Sequence, residues 1–346
     1  MKASAKILMV AVMVWTSCID RVDLSLPPGV LPLVIDGLVT DAPGPYTVSI
    51  SRGIPVDGSL HRATMVPRAR VQIMDNTGTT DVLTETEVGT YVTDSLQGMM
   101  GRTYRLIVTM PDGNRYESTP EQIVPAGTID SIYFDYEQSL KKDSNVELQG
   151  FNVYINATAA PGGSRRLRWR FNGTYKVITN PALLMVGNPP APLACSIFCV
   201  CCTCWVSESE ESPLLVNQSF IGSNRLNRVF VRYIPINEIT FNEKYRVEIT
   251  QMEVSQKVYD FLSAVRRQAD NDASLFQPPF FELKGNVTAT NHENPVVGMF
   301  TAAALTKRHR YIYRTDIPHY FFPSEIIGDC RGVAPRSSIT EPPFWQ

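Results

Sequence analysis

Apolar and polar residues alternate with a period of two over much of this chain. Tyr46, Val48 and Ile50 are separated by single polar residues, and the segment 70–74 repeats the pattern. Successive side chains of a β-strand point to opposite faces, so this spacing predicts half-buried strands. The same reasoning predicts strands over 33–39, 89–91 and 101–108.

Turn signals separate these predicted strands. The segments Asp75-Asn-Thr-Gly78 and Pro111-Asp-Gly113 each end in a glycine that can take a positive φ. A further loop is predicted at 41–45, where two prolines remove backbone donors. Short strands joined by polar turns predict a β-sandwich of immunoglobulin or prealbumin type over residues 31–125.

A second series of strands follows a boundary near 120–128. In the segment 166–171, Leu167, Trp169 and Phe171 share one face and three arginines share the other. The arginine face is either a ligand surface or an ordinary solvated strand face. Strands are also predicted over 131–136, 151–155 and 245–249, so residues 126–346 are predicted to form a second β-rich domain.

One amphipathic helix interrupts this series. Val258, Phe261, Leu262 and Val265 form one apolar stripe at helical spacing, and Ser255 can cap the first turn. The helix is predicted over about 255–270, packed on a sheet. At the end of the chain, the aromatic residues of the segment Pro342-Pro-Phe-Trp345 are expected to dock onto the second domain.

The N-terminal segment predicts where in the cell the protein is located. Residues 1–17 combine two lysines, an apolar stretch and small residues before Cys18, which is the pattern of a lipoprotein signal peptide. The thiol of Cys18 is then the predicted site of a lipid, with palmitate among its acyl chains, and residues 18–30 are a tether. The alternatives are a secretory signal cut near Ser17 and a retained anchor, although the apolar stretch is shorter than the roughly 20 residues that span a bilayer.

Composition narrows the class of protein. The chain has 346 residues, of which 44% are hydrophobic, so it can bury one large β core or two smaller ones. Its net charge of −2 creates no field that favours nucleic acid or an anionic membrane surface. We therefore expect no nucleic-acid partner and membrane contact through the lipid.

Seven cysteines suit an exported protein better than a cytosolic one. Apart from Cys18, six cysteines remain, which is an even number. Five of them lie in a cysteine-rich insertion at 195–204, namely Cys195, Cys199, Cys201, Cys202 and Cys204, and the sixth is the distant Cys330. We interpret these six cysteines as disulfide-bonded. Metal binding and free thiols are the alternatives. The Cys-x-x-Cys units overlap, however, and do not match zinc-finger spacing. Neighbouring Cys201 and Cys202 are poorly placed to pair with each other, and we take Cys204 as the partner of Cys330.

Sequence motifs of common catalytic sites are missing. The chain has no Gly-x-Ser-x-Gly, no phosphate-binding loop and no His-Glu-x-x-His. Its histidines are scattered at His61, His292, His309 and His319, and we interpret them as surface residues. We interpret the basic run 307–310 as an exposed turn or strand face. The chain is therefore predicted to be non-enzymatic, with no catalytic residue, metal ligand or cofactor assigned.

The order of several short motifs resembles the domain-of-unknown-function family 4249. The matching segments are 18–20, 33–40, 44–50, 101–106, 111–113, 204–205, 255–259, 276–279, 285–286, 298–300 and 343–345. The resemblance implies a lipoprotein of Bacteroidota-type envelopes, commonly encoded beside TonB-dependent outer-membrane receptors, without assigned catalytic residues. The chain departs from the family pattern in its insertion at 195–202 and in the single Cys330.

Together these features lead to one expectation and two alternatives. We expect a lipid-anchored outer-membrane protein that is an accessory or ligand-capturing partner of a TonB-dependent transporter. A stand-alone glycan- or peptide-binding lipoprotein is favoured if Tyr and Trp are exposed on one sheet face. A hydrolase is favoured if a cleft holds His292 or His319 beside a carboxylate and a nucleophile.

Overall fold

The alternating segments form β-strands, and the mainly β class predicted from sequence is confirmed. The computed structural model describes residues 31–53, 63–140, 147–187, 191–192, 200–210, 212–217, 223–271, 283–290, 296–319 and 324–345. The strands before residue 126 are β1 (Leu33–Thr40), β2 (Thr47–Arg52), β3 (Thr64–Met65), β4 (Arg70–Asp75), β5 (Thr80–Val82), β6 (Thr84–Glu87), β7 (Thr90–Val92), β8 (Thr103–Thr109), β9 (Arg115–Ser118) and β10 (Glu121–Gln122).

The later elements include the long strands of the chain. They are β11 (Thr128–Leu140), β12 (Glu147–Thr158), β13 (Arg166–Ile178), β14 (Met185–Val186), β15 (Ala191–Pro192), β16 (Thr203–Ser209), β17 (Leu214–Asn217), β18 (Arg225–Pro235), β19 (Lys244–Glu253), β20 (Val287–Ala289), β21 (Val296–Ala303) and β22 (Thr306–Tyr313). The helices are α1 (Gln256–Asn271) and α2 (Cys330–Val333), with 3₁₀ turns at Pro181–Leu183 and Arg314–Asp316.

Two sheets form the first sandwich. One has the order β21-β1-β2-β7-β6 with β3 beside β2, and the other has the order β20-β9-β8-β4-β5 with β10 beside β8. Ile35, Val48 and Ile50 of the first sheet pack against Ile73 and Leu106 of the second. The turn predicted at 75–78 forms, because the Asp75 carboxylate accepts from later backbone amides and the following glycine has a positive φ.

The first sandwich is completed by residues far along the chain. Strand β21 runs parallel to β1 in a register that extends from Leu33↔Val296 to Thr40↔Ala303, and β20 pairs with β9. Phe300 lies in the first core. The range 31–125 predicted for this sandwich does not include β20 and β21. Local sequence patterns do not indicate which distant strand pairs with β1.

Close backbone approach fixes these added strands. A Cβ atom on Gly285 would lie 1.6 Å from the carbonyl oxygen of Gly298, so only glycine fits there. The side chain of Asn286 accepts from the Phe300 amide at 2.8 Å and donates to the Phe300 carbonyl at 2.7 Å. It also donates to the buried carboxyl of Glu121 at 2.9 Å, whose pKa is raised by burial.

The second sandwich consists of a three-stranded sheet, β11-β12-β18, and a facing sheet, β16-β13-β19-β22, with β17 beside β13. Its core contains Phe151, Val153, Trp169, Phe171 and Ile249. The predicted inward face of the segment 166–171 is therefore correct.

Arginines join the two sheets where β22 lies beside β11. Arg308 donates to the carbonyls of Ile129 and Asp130 at 2.9 and 2.6 Å, and Arg310 donates to the carbonyl of Ile132 at 2.8 Å. The basic run 307–310 lies on a strand, as expected, and two of its side chains satisfy backbone groups of the neighbouring sheet edge.

The predicted helix is confirmed as α1, and it packs where the two sandwiches meet. Its Val258 and Leu262 form a third core with Met252 of β19 and Met299 of β21. The hydroxyl of Ser255 accepts from the Val258 amide at 3.4 Å, as the cap prediction required. Neither helix in the described part of the chain is both long and apolar enough to cross a membrane.

The C-terminal tail docks on the second sandwich, as expected. Trp345 is 3% exposed. The ammonium group of Lys244 lies 5.2 Å from the centre of the Trp345 ring system, and the guanidinium of Arg246 lies 4.1 Å from the Phe344 ring centre. These cation–π contacts attach the tail to β19.

Replacing Gly285 tests the role of the added strands. We expect Gly285→Ala to lower the free energy of unfolding by about 1–3 kcal/mol, because the new methyl group must displace backbone of β21. Urea unfolding measures the effect. Gly332→Ala is the matched control: no atom lies within 4 Å of its added Cβ, so we expect a change below about 1 kcal/mol. Equal effects of the two substitutions would contradict this packing.

Candidate functional site

The exposed surface of sheet β11-β12-β18 carries an unusual set of side chains. The period of two along β11 turns Ile132 inward and Tyr133 outward. We define the aromatic face by five of the outward residues of the three strands: Tyr133, Asp135, Tyr154, Arg228 and Phe230.

Three rings form a row across the strands. Tyr133 is the register partner of Tyr154, and their ring centroids lie 5.7 Å apart at an interplanar angle of 22°. Tyr154 in turn meets Phe230 edge to face at 5.8 Å. Such cross-strand pairs stabilise a sheet, yet Phe230 remains 51% exposed. An aromatic patch that stays open to solvent is typical of an interaction site.

A β-bulge places a cation on this row. The register of β12 and β18 shifts between Ile155 and Ala157, and Arg228 has a φ of +53°. The Asn156 side-chain oxygen accepts from the Arg228 amide at 2.8 Å, which holds the left-handed backbone. The Arg228 guanidinium then lies 4.4 Å from the centre of the Tyr154 ring. Bulges commonly redirect a side chain in this way.

The guanidinium is held from a second side by a carboxylate. Arg228 Nη2 lies 2.6 Å from Asp135 Oδ2, and this hydrogen bond raises the pKa of Arg228. Both side chains are largely exposed, so the ion pair contributes little to stability. Its effect is to fix the orientation of the guanidinium above the ring.

Polar groups border the rings. The Asn152 amide donates to the Glu137 carboxylate, and both residues lie on the same outer face. Gly150 makes room for the Tyr233 ring, since a Cβ atom there would lie 2.4 Å from Tyr233 Cζ. The site therefore combines apolar rings with hydrogen-bonding groups, a composition typical of ligand-binding surfaces.

Two strands of this face, β11 and β12, were predicted from the sequence, whereas β18 was not, and the face itself was not predicted to be a site. The available signal was the placement of Tyr133 and Tyr154 at the outward positions of two strands whose inward positions are apolar. The position of Arg228 could not be predicted, because the bulge depends on how β18 pairs with β12.

The cysteine predictions fall partly within the described residues. Cys204 and Cys330 form a disulfide with Cα atoms 5.8 Å apart, and both residues are fully buried. Cys201 and Cys202 each take part in a disulfide bond as well. Cys18, Cys195 and Cys199 lie outside the described residues. The structure thus joins Cys330 to Cys204, which is the pair named from the sequence.

No cluster of histidine, cysteine or carboxylate side chains in the described residues has the arrangement of a metal site. His309 lies on β22 and contacts Tyr311, with ring centroids 5.9 Å apart. His319 Nδ1 lies 3.4 Å from the Tyr136 hydroxyl. Neither of these two histidines hydrogen-bonds to a carboxylate in the described part of the chain, while His61 and His292 lie outside it.

Removing the disulfide should destabilise the second sandwich. The bond closes a loop between residues 126 positions apart, so we expect Cys204→Ser with Cys330→Ser to lower the free energy of unfolding by about 2–5 kcal/mol. Chemical unfolding of the oxidised proteins measures this change. Arg331→Ser, at an exposed position of α2, is the control and should change it by less than about 0.5 kcal/mol. A double variant as stable as the wild type would contradict a structural role for the bond.

Comparisons with known proteins give one match. The model of the family described as "Domain of unknown function (DUF4249)" matches residues 20–309. No curated protein and no solved structure matches the chain. Because the match covers most of the sequence, including β1 to β21 and α1, this chain belongs to the DUF4249 family.

Proposed function

We propose that this chain is a non-enzymatic lipoprotein of the outer membrane that captures a ligand on its aromatic face. Cys18 carries the lipid in this proposal, and the protein acts as an accessory partner of a TonB-dependent transporter. The aromatic face supports ligand capture. The lipid and the transporter rest on the N-terminal sequence pattern and on what the family resemblance implies.

The exposed row of rings with Arg228 held above it carries the proposal. A residue other than glycine in the left-handed region costs roughly 1–3 kcal/mol, and Arg228 is such a residue. The Asn156 hydrogen bond, the Asp135 ion pair and the Tyr154 ring offset this cost, each by about 1 kcal/mol. Together these contacts hold Arg228 above the rings, and arginine and aromatic side chains dominate binding energy at protein surfaces.

A stand-alone binding function for glycans or peptides is the second candidate. The same observation favours it, since rings exposed on one sheet face beside amide and carboxylate groups can contact both the apolar and the hydroxyl-bearing parts of a saccharide. Screening the protein on an array of glycans and peptides, and isolating it with its membrane partners, distinguishes the two candidates.

Co-purification tests the transporter hypothesis. We expect the lipidated protein, isolated from detergent-solubilised outer membrane, to bring a large β-barrel receptor with it. We expect Phe230→Ala to reduce ligand capture about tenfold or more, because truncation of a central aromatic residue of an interface typically has this effect. Tyr313→Ala is the matched control, because Tyr313 is 48% exposed but lies on β22, outside the aromatic face.

Each outcome of this experiment separates the candidates. Recovery of the protein alone, with binding of a glycan or peptide that Phe230→Ala abolishes, supports the stand-alone function. Equal binding by the wild type, Phe230→Ala and Tyr313→Ala would exclude the aromatic face as the site.

Substitution of Cys18 tests the proposed lipid anchor. We expect Cys18→Ala to move the protein from the membrane fraction to the soluble fraction, because the lipid is the proposed anchor. Fractionation of cells and mass spectrometry of the N-terminal peptide measure this change. A variant that still partitions with membranes and is processed normally would show that Cys18 does not carry the anchor.

A further inference from the structure

The outward arginines of β13 form a second unusual cluster. Arg166, Arg168 and Arg170 occupy alternate positions of the strand, opposite the buried residues of the second core, and we call them the arginine row. Their side chains are only partly exposed, and that of Arg168 is 14% exposed. The row is therefore not an ordinary solvated strand face.

Part of the arginine row lacks hydrogen-bond acceptors. The Nε atoms of Arg166 and Arg168 are buried, and no described residue accepts a hydrogen bond from them. The nearest carboxylate to Arg168 belongs to Glu210, with Nη2 and Oε1 4.0 Å apart, and that carboxylate also accepts from the Phe171 amide. Each guanidinium presents five N–H donors. Polar groups with this degree of burial are normally paired, so the unmet donors call for an acceptor.

The row lies beside the third core, which joins the two sandwiches. Arg168 lies beside Met252 of β19 and Leu215 of β17 in the sheet register, and both belong to the third core. Across that core, Asp36 of β1 is paired in register with Met299. The arginine row and Asp36 therefore project from different sandwiches beside the same apolar cluster.

Asp36 interacts electrostatically with the arginine row but forms no ion pair with it among the described residues. Burial raises the pKa of Asp36, and the charges of Arg170 and Arg168 act in the opposite direction. Its side chain nevertheless keeps access to solvent. Because no ion pair in the described part of the chain links Asp36 to Arg168 or Arg170, the exposed carboxylate stays separate from the guanidiniums.

Like charges along the row repel each other. Burial, and then the neighbouring Arg170, lowers the pKa of Arg168 to about 10, while Glu210 and Asp36 act in the opposite direction. An added anion would supply the acceptors that the buried Nε atoms lack and would reduce the repulsion between the guanidiniums.

We propose that the arginine row and Asp36 form a binding site for a ligand that carries a compact oxyanion, such as a carboxylate, phosphate or sulfate group. Planar guanidiniums bind such groups through two parallel hydrogen bonds. Asp36, on β1 of the first sandwich, can accept from a hydroxyl or ammonium group of the same ligand. This site is separate from the aromatic face and does not depend on the function proposed for it.

Calorimetric titration with inorganic phosphate, sulfate and acetate at low ionic strength tests the site. We expect saturable binding by the wild type that weakens as salt is added, and the order of the three anions identifies the oxyanion class. We expect Arg170→Gln to raise the Kd about tenfold or more, since charge-assisted hydrogen bonds are lost. Arg115→Gln removes the same charge from an exposed position of β9, outside both proposed sites, and should leave the Kd unchanged.

Two further variants separate a ligand site from a structural ion cluster. Arg168→Met removes a poorly paired buried charge, so we expect loss of anion binding with an equal or higher melting temperature. Asp36→Asn removes a competing carboxylate and should tighten binding of all three anions. Absence of saturable binding by the wild type, or equal loss in Arg170→Gln and Arg115→Gln, would overturn the proposal. A lower melting temperature of Arg168→Met with unchanged anion binding would also overturn it.

Discussion

The parallel pairing of β1 with β21 is the constraint on which the rest of the structure depends. Strand β21 completes the first sandwich, and only two residues separate its end at Ala303 from the start of β22 at Thr306 in the second sandwich. The chain therefore cannot place β22 without also fixing β21. The close approach of Gly285 to Gly298 holds β21 from its other side, and the third core forms against it.

This arrangement gives the second sandwich two different outer surfaces. The sheet β11-β12-β18 presents the aromatic face, whereas the sheet that contains β13 presents the arginine row toward the first sandwich. The shared core, with Trp169 and Phe151, lies between these surfaces. A substitution on one surface leaves the contacts of the other intact, so the two proposed binding roles are separable by experiment.

Local periodicity was sufficient to predict β4, the turn after it and the helix α1, because neighbouring residues determine each of them. The recruitment of β20 and β21 could not be predicted, since their partners lie more than a hundred residues away in the sequence. The same limit applies to both candidate sites. The bulge at Arg228 depends on pairing with β12, and the burial of Arg168 depends on the approach of the first sandwich.

The aromatic face and the arginine row each contain a feature that costs folding free energy. Arg228 adopts a backbone conformation that costs roughly 1–3 kcal/mol, and a buried donor without a partner, as in Arg168, costs a similar amount. A domain of ordinary stability has about 5–15 kcal/mol in total, so these costs are a substantial fraction of it. Such exceptions in an otherwise consistent fold are expected where the structure serves recognition, because a bound ligand then supplies the interaction that folding alone leaves unmade.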